Sequence, residues 1–180
     1  MANRKLIAGL DIGTSWVRLA VCEQKPNDNT PQIIALVKKP SRGLRRGYII
    51  SPEETIATIR EVVLDAERSL KTKLKKVILG MGGVSLDSKI IEASIVSPKG
   101  ETEITNSDIT KLIDIAENNL PEMSNRRVLH RLAIDYKIDG EKVLGHPVGL
   151  RGTRLEVRVL FVTVLNQHLR DLVKVTESAG

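Results

Sequence analysis

Length, composition and charge limit what this chain can be. It has 180 residues, 41% hydrophobic content and a formal net charge of +6, which suits a globular protein with one large core or two small ones. Aromatic residues make up only 2%, too few for the stacking typical of single-strand binding, so we expect no nucleic-acid partner and interpret the arginines at 42, 45 and 46 as a solvated cluster.

Three apolar segments near the N-terminus predict three strands, over residues 5–10, 17–22 and 32–38. A polar stretch, residues 24–31, separates the second strand from the third and is rich in turn-forming residues. Because the connections are short, we expect an antiparallel meander.

The turn between the first two strands carries the most informative residues. Gly13 has no Cβ and lets backbone approach a ligand closely, while Thr14 and Ser15 add hydroxyl donors to the backbone N–H groups of the turn. Asp11 would repel a bare phosphate, so its useful partner is a metal ion such as Mg²⁺ shared with phosphate oxygens. The same residue types also form ordinary hairpin turns, and this segment alone leaves both interpretations open.

A helix is predicted to begin at Ser51. This residue is the N-cap, Pro52 occupies the first helical position, and Glu54 completes a capping box. A short strand, residues 77–79, follows the helix, and we interpret the glycine-rich residues 80–83 as a bend where the chain leaves its first domain. A meander plus a strand–helix–strand crossover matches half of an RNase-H-like fold. Apolar residues at spacings of three and four form one face of the predicted helix: Ile56, Ile59, Val63, Ala66 and Leu70.

A second module follows, with the order strand, helix, strand, strand. Thr105 and Asp108 predict the start of its helix, and Pro121 ends it. Alternation from residue 127 to 138 predicts that the apolar residues at even positions share one face. The last segment, residues 166–180, is predicted to form a helix that packs on the first module. The strands of the second module are expected at residues 89–96, 127–138 and 155–164.

Several segments resemble a known family. Residues 5–22 resemble the first phosphate segment of the actin-like ATPases, which include sugar kinases, chaperone ATPases, actin and the bacterial cell-division protein FtsA. Residues 43–50, 77–83 and above all 147–157 resemble FtsA in particular. The order of the second module is that of the SHS2 insert of FtsA. The resemblance implies an α/β fold, with an actin-like (RNase-H-like) subdomain and an inserted strand-helix-strand-strand (SHS2) subdomain.

The resemblance also implies a domain scheme. Residues 1–83 form the first part of actin-like subdomain 1A, residues 84–163 the SHS2 insert (subdomain 1C), and residues 164–180 the return helix of subdomain 1A. The second actin-like half, which carries the adenosine-binding glycines in FtsA, and the membrane-binding helix that follows it are absent. We therefore interpret the chain as a fragment of FtsA or a short relative.

By the same resemblance, the chain takes part in binding ATP and Mg²⁺ between two halves. Asp11 would contact Mg²⁺ through water, and the backbone amides of Gly13, Thr14 and Ser15 would hold phosphates. Trp16 stands where the family commonly has a small or basic residue; it either packs on the nucleotide or, as we favour, fills the core or a sheet edge. No catalytic residue is assigned, and little ATP turnover is expected of these 180 residues alone.

The implied partners are FtsZ, other division proteins and further copies of the chain through the insert, with membrane contact only through the absent C-terminal helix. No signal peptide or membrane span is evident, and the single cysteine, Cys22, suits a reducing compartment. We therefore expect a cytoplasmic protein, located at the cytoplasmic face of the cell membrane at the division site.

Two other functions remain open. A nucleotide-free interaction module like the pilus-assembly protein PilM fits a chain without a second half, although residues 147–157 favour FtsA. A sugar-kinase-like phosphotransferase fragment would need a catalytic base that the sequence does not offer. His130, His146 and His168 lack metal-ligand spacing, and each is expected to be a surface or half-buried residue.

Overall fold

The computed structural model describes residues 5–25, 30–83 and 85–180. The chain divides into two compact units: unit 1 comprises Met1–Ser85 and Gln167–Gly180, and unit 2 comprises Leu86–Asn166. Part of the predicted polar loop, residues 26–29, and the predicted first residue of the insert, Val84, lie outside the described residues.

Unit 1 is built on a four-stranded sheet. Its elements, in chain order, are β1 (Lys5–Ile12), β2 (Trp16–Gln24), β3 (Gln32–Pro40), β4 (Leu44–Arg45), β5 (Tyr48–Ile49), α1 (Pro52–Leu70) and β6 (Ile78–Gly80). The sheet order is β3-β2-β1-β6. The first three strands form the predicted antiparallel meander, and β6 lies parallel to β1. A parallel pair needs a crossover connection, and α1 lies in that connection.

Unit 2 is a second four-stranded sheet with a helix. Its elements are β7 (Leu86–Val96), β8 (Thr102–Glu103), α2 (Asn106–Asn118), β9 (Arg126–Ile138), β10 (Glu141–Val143), β11 (Arg151–Gly152) and β12 (Arg154–Leu165). The antiparallel sheet has the order β10-β9-β12-β7. The order of the long elements is the predicted strand, helix, strand, strand. The last helix, α3 (Asn166–Ser178), follows β12 directly.

The core of unit 1 is formed by one face of the sheet, α1 and α3. The Arg60 guanidinium of α1 donates to the carbonyl oxygens of Ser178, at 3.0 Å, and Ala179, at 3.3 Å. These bonds satisfy carbonyl groups that a helix leaves unpaired at its C-terminus. The buried apolar residues of this core are Ala8, Leu10, Ile12, Val17, Leu19, Val21, Ala35, Ile59, Val62, Ala66, Leu172, Val175 and Ala179.

The two predicted helix starts turn out differently. Thr105 and Asp108 form the expected capping box, with the Thr105 N–H donating to Asp108 Oδ2 at 2.9 Å. Ser51 is the N-cap of α1, but its side chain makes no capping hydrogen bond, so the predicted capping box with Glu54 is wrong. The physical reason is tertiary: the Ser51 N–H that Glu54 would have to accept donates instead to the carbonyl oxygen of Gly43 at 3.1 Å.

The predicted single face of β9 is interrupted by two bulges. The pairing of β9 with β12 shifts between Arg158 and Val159 and again between Val162 and Thr163. Each bulge adds one residue and moves the following side chains to the other face of the sheet. Tyr136 is therefore buried against α2, whereas Leu132, between the bulges, is 51% exposed.

One histidine is more buried than expected. His168 is only 4% exposed, which corrects the prediction of a surface or half-buried residue. Its Nδ1 is hydrogen-bonded to the hydroxyl of Ser85, and the centroid of its ring lies 5.3 Å from that of Tyr48. His168 therefore belongs to the packed interior of unit 1.

Candidate phosphate-binding site

The turn predicted to hold phosphate joins β1 to β2 and is closed by a backbone hydrogen bond. The Gly13 N–H donates to the carbonyl oxygen of Trp16 at 3.0 Å. A Cβ on Gly13 would lie 3.1 Å from the same oxygen, closer than ordinary van der Waals contact, so glycine is the residue that fits. The Gly13 donor therefore closes the turn in this structure, and its contact with phosphate stays a prediction.

The backbone N–H groups of the next two residues, Thr14 and Ser15, are not used within the turn. Among the described residues, no acceptor is hydrogen-bonded to the backbone N–H of Thr14 or Ser15. Successive unpaired N–H groups in a tight turn form a concavity that favours anions. Thr14 and Ser15 thus provide the part of the predicted cradle that remains available to a ligand.

The Thr14 side chain is held in place by a distant part of the chain. Its Oγ1 accepts a hydrogen bond from the N–H of Gly47 at 2.8 Å, and the Ser15 carbonyl oxygen accepts one from the N–H of Ser41 at 3.0 Å. A hydroxyl has one proton and two lone pairs. Because Oγ1 uses a lone pair for Gly47, the Thr14 hydroxyl proton remains free to bind an acceptor.

Asp11 lies at the end of β1 and not in the turn, because β1 extends to Ile12. It pairs with Arg18 of β2, whose Nη1 is 2.9 Å from Asp11 Oδ2. The two side chains are 57% and 50% exposed, and such exposed pairs contribute no more than about 1 kcal/mol. The pair is therefore weak enough for a cation to compete with Arg18.

The described residues offer no preformed metal centre. Within residues 5–25, 30–83 and 85–180, no group of three or more His, Cys, Asp or Glu side chains comes close enough to hold an ion. Mg²⁺, however, is commonly held by one or two carboxylates together with phosphate oxygens and water. Asp11 fits that arrangement, since its carboxylate is exposed beside the turn.

Trp16 begins β2 and lies opposite Pro40 of β3. The side chain is partly buried, and Lys38 Nζ lies 5.0 Å from the ring centroid. This geometry corresponds to a cation–π contact. A partly buried ring engaged by a lysine is consistent with packing between strands, and contact of Trp16 with a nucleotide stays a prediction.

Sequence reasoning missed the second hairpin of unit 1. The sequence of the segment from β4 to β5 indicates a basic surface and a family resemblance but no hairpin, yet its Gly47 contacts the predicted phosphate turn. Gly43, just before the hairpin, and Gly47, at its tip, both have positive φ values, 78° and 82°. Their spacing signals a tight hairpin, but nothing local indicates which surface that hairpin contacts.

Comparison with known proteins identifies the family to which this chain is similar. The family model described as "SHS2 domain inserted in FTSA" matches residues 83–163. The cell division protein FtsA of Neisseria meningitidis serogroup B is 33% identical over 179 residues, which cover 99% of this chain and 42% of that protein. The predicted relationship to the FtsA family is confirmed. FtsA of Escherichia coli K12 is 30% identical over 178 residues, covering 99% of this chain and 41% of that protein.

The chain therefore spans about two fifths of the length of the curated relatives it matches, and it corresponds to their N-terminal part. The solved structure described as the PilM-PilN type IV pilus biogenesis complex matches with a TM-score of 0.60 at 17% identity, over 97% of this chain and 44% of that one. That likeness concerns the fold. Together, the matches confirm the predicted α/β fold of an actin-like subdomain with an SHS2 insert.

Proposed function

We propose that this chain is the N-terminal part of an FtsA-type cell-division protein that binds ATP and Mg²⁺ between two actin-like halves. The observation that carries the proposal is the turn after β1, where the backbone N–H groups of Thr14 and Ser15 are unpaired within the described part of the chain and an exposed carboxylate, Asp11, stands at the end of the preceding strand. Because the chain covers 42% of the FtsA of Neisseria meningitidis, the second half of the site would come from elsewhere in the full-length protein.

Different residues at the turn would bind Mg²⁺ and the phosphates. Asp11 would orient a water molecule bound to Mg²⁺, and the N–H groups of Thr14 and Ser15 would donate to phosphate oxygens. Gly13 would shape the turn, and its amide would reach a phosphate oxygen by giving up its bond to the Trp16 carbonyl oxygen. Trp16 would border the site from the start of β2.

The two units would correspond to two FtsA subdomains. Unit 1, with residues 1–83 and the helix within residues 164–180, would be the first part of subdomain 1A. Unit 2, near residues 84–163, would be the SHS2 subdomain 1C. This scheme is supported by the match of the SHS2 family model to residues 83–163.

Unit 2 would provide an interaction surface for other copies or for division proteins. On the face of the sheet opposite α2, Leu160 of β12 lies between Ile90 of β7 and Leu132 of β9. Ile90 and Leu132 are 50% and 51% exposed. Adjacent exposed apolar side chains favour an interface, and this row supports self-association through the insert.

The relatives' name suggests a place at the division site. FtsZ and other division proteins would be the partners, at the cytoplasmic face of the cell membrane. None of the helices in the described part of the chain has the length and apolar composition to cross a bilayer. By the family resemblance, membrane contact would be made by a C-terminal helix of the full-length protein.

Titration of the full-length protein with Mg-ATP tests this function. Binding that is lost in Asp11→Ala, with the unfolding temperature unchanged, is the expected result. Absence of Mg-ATP binding by the wild-type full-length protein would overturn the proposal. That outcome would favour the alternative, a nucleotide-free interaction module, which the shared fold with the PilM complex supports.

A further inference from the structure

The hairpin formed by β4 and β5 is anchored in unit 1. Leu44 and Ile49 face each other across the hairpin and pack against the core. The Gly43 carbonyl oxygen accepts hydrogen bonds from the N–H groups of Ile50, at 2.8 Å, and Ser51, at 3.1 Å. The tip of the hairpin is therefore held in a fixed position against the turn after β1.

The tip has an unusual residue for its backbone conformation. Arg46 and Gly47 connect the paired residues Arg45 and Tyr48, with φ values of 50° and 82°. Two positive φ values define a type I′ turn, in which asparagine or glycine is strongly preferred at the first position. An arginine in this conformation is strained, and strain of this kind is concentrated at functional sites.

Arg46 lies next to the candidate phosphate site. The Gly47 nitrogen is 2.8 Å from Thr14 Oγ1, which places the Arg46 Cα within about 5 Å of that oxygen by standard backbone dimensions. Arg46 is exposed, and no acidic side chain in the described ranges pairs with it. Two other cationic side chains near the turn already have partners: Arg18 pairs with Asp11, and Lys38 lies over the Trp16 ring.

We infer that Arg46 is a phosphate-binding residue of this site, presented by the hairpin and directed at the terminal phosphate of a nucleoside triphosphate. The inference rests on the proposed function. A guanidinium offers several donors in a fixed planar arrangement that matches phosphate oxygens. The Gly47 N–H donates to Thr14 Oγ1 and so holds the threonine hydroxyl in place, which leaves the hydroxyl proton available to a phosphate oxygen.

The test uses the full-length protein and three variants. Arg46→Asn removes the cation and places a residue that tolerates positive φ, so the unfolding temperature should be unchanged or higher. Mg-ATP affinity should nevertheless fall at least tenfold, and Mg-ADP affinity should fall less. Arg46→Lys should recover part of the affinity, and Arg45→Gln, which removes the adjacent exposed cation, should leave it unchanged.

Three results would overturn the inference. If Arg46→Asn binds Mg-ATP as the wild type does while Asp11→Ala does not, the proposed function stands and the role of Arg46 is wrong. Equal losses in Arg46→Asn and Arg45→Gln would indicate a nonspecific effect of charge. If the wild-type protein binds no Mg-ATP, the proposed function and this inference both fail.

Discussion

The hydroxyl oxygen of Thr14 accepts a hydrogen bond at 2.8 Å from the N–H of Gly47, 33 residues further along the chain. The bond joins the turn after β1 to the hairpin of β4 and β5. It fixes the Thr14 side chain, whose hydroxyl accepts from the protein and can still donate to a ligand.

Replacement of Thr14 by valine tests the two roles of its hydroxyl, accepting from Gly47 and donating to a ligand, while the shape of the side chain is kept. Thr14→Val keeps the shape but removes the hydroxyl, so the Gly47 N–H loses its partner and stability should fall by about 1 kcal/mol. Mg-ATP affinity of the full-length protein should fall as well. Thr14→Ser retains the hydroxyl and should restore affinity; equal affinities for the valine and serine variants, measured by calorimetry, would contradict this role.

The ion pair between Asp11 and Arg18 provides a matched pair of variants. Both Asp11→Ala and Arg18→Gln break the same exposed contact, so each should change the free energy of unfolding by less than about 1 kcal/mol. Only the loss of Asp11 should weaken Mg-ATP binding. Arg18→Gln leaves the carboxylate available to Mg²⁺ and should bind at least as tightly as the wild type; similar losses in the two variants would argue against a Mg²⁺ role for Asp11.

The acid sensitivity of unit 1 should depend on Glu67. A hydrogen bond from the Lys73 ammonium, at 2.6 Å, and one from the Leu74 N–H, at 2.8 Å, hold the pKa of Glu67 below its ordinary value. A lowered pKa stabilises the fold above the unfolded-state pKa, near 4.5, and this stabilisation is lost as the pH falls through the folded-state value.

Glu67→Gln should therefore cost about 1 kcal/mol at pH 7, a modest value because Lys73 is exposed to solvent. The difference from wild type should shrink as denaturation is measured from pH 6 down to pH 3. A difference that stays constant over this range would show that the carboxylate charge is not the stabilising feature.

The exposed apolar row of unit 2 predicts a change in self-association. Leu132→Glu places a charge in the row formed with Ile90 and Leu160 and should weaken association of the full-length protein in sedimentation experiments. Leu36→Glu changes an exposed leucine of unit 1, which is 71% exposed, and serves as the control. If the control weakens association as strongly as Leu132→Glu, the row is not the interface.

Much of the fold follows from local patterns in the sequence. Strands and helices are predictable because their apolar residues recur at periods of two or of three and four, and the Thr105 cap is predictable because both partners lie within one turn. The failures involve distant contacts. Ser51 loses its capping box because Gly43 accepts from its N–H, and Leu132 turns outward because β9 bulges against β12.

In the candidate site, too, local residues were predictable from the sequence and distant contacts were not. Asp11, Gly13, Thr14 and Ser15 form a recognisable segment, so the turn could be found from the sequence. That Arg46 lies beside it could not, because the contact between Gly47 and Thr14 depends on how the hairpin packs on the sheet.

The dissociation constant for Mg-ATP, measured by calorimetric titration of these 180 residues and of the full-length protein, tests the central claim most directly. The turn alone offers a few charge-assisted hydrogen bonds, each worth about 1.5–3 kcal/mol, against an association cost of about 4–15 kcal/mol. We predict millimolar or weaker binding by the 180 residues and much tighter binding by the full-length protein. Micromolar binding by the 180 residues alone, or none by the full-length protein, would contradict the account.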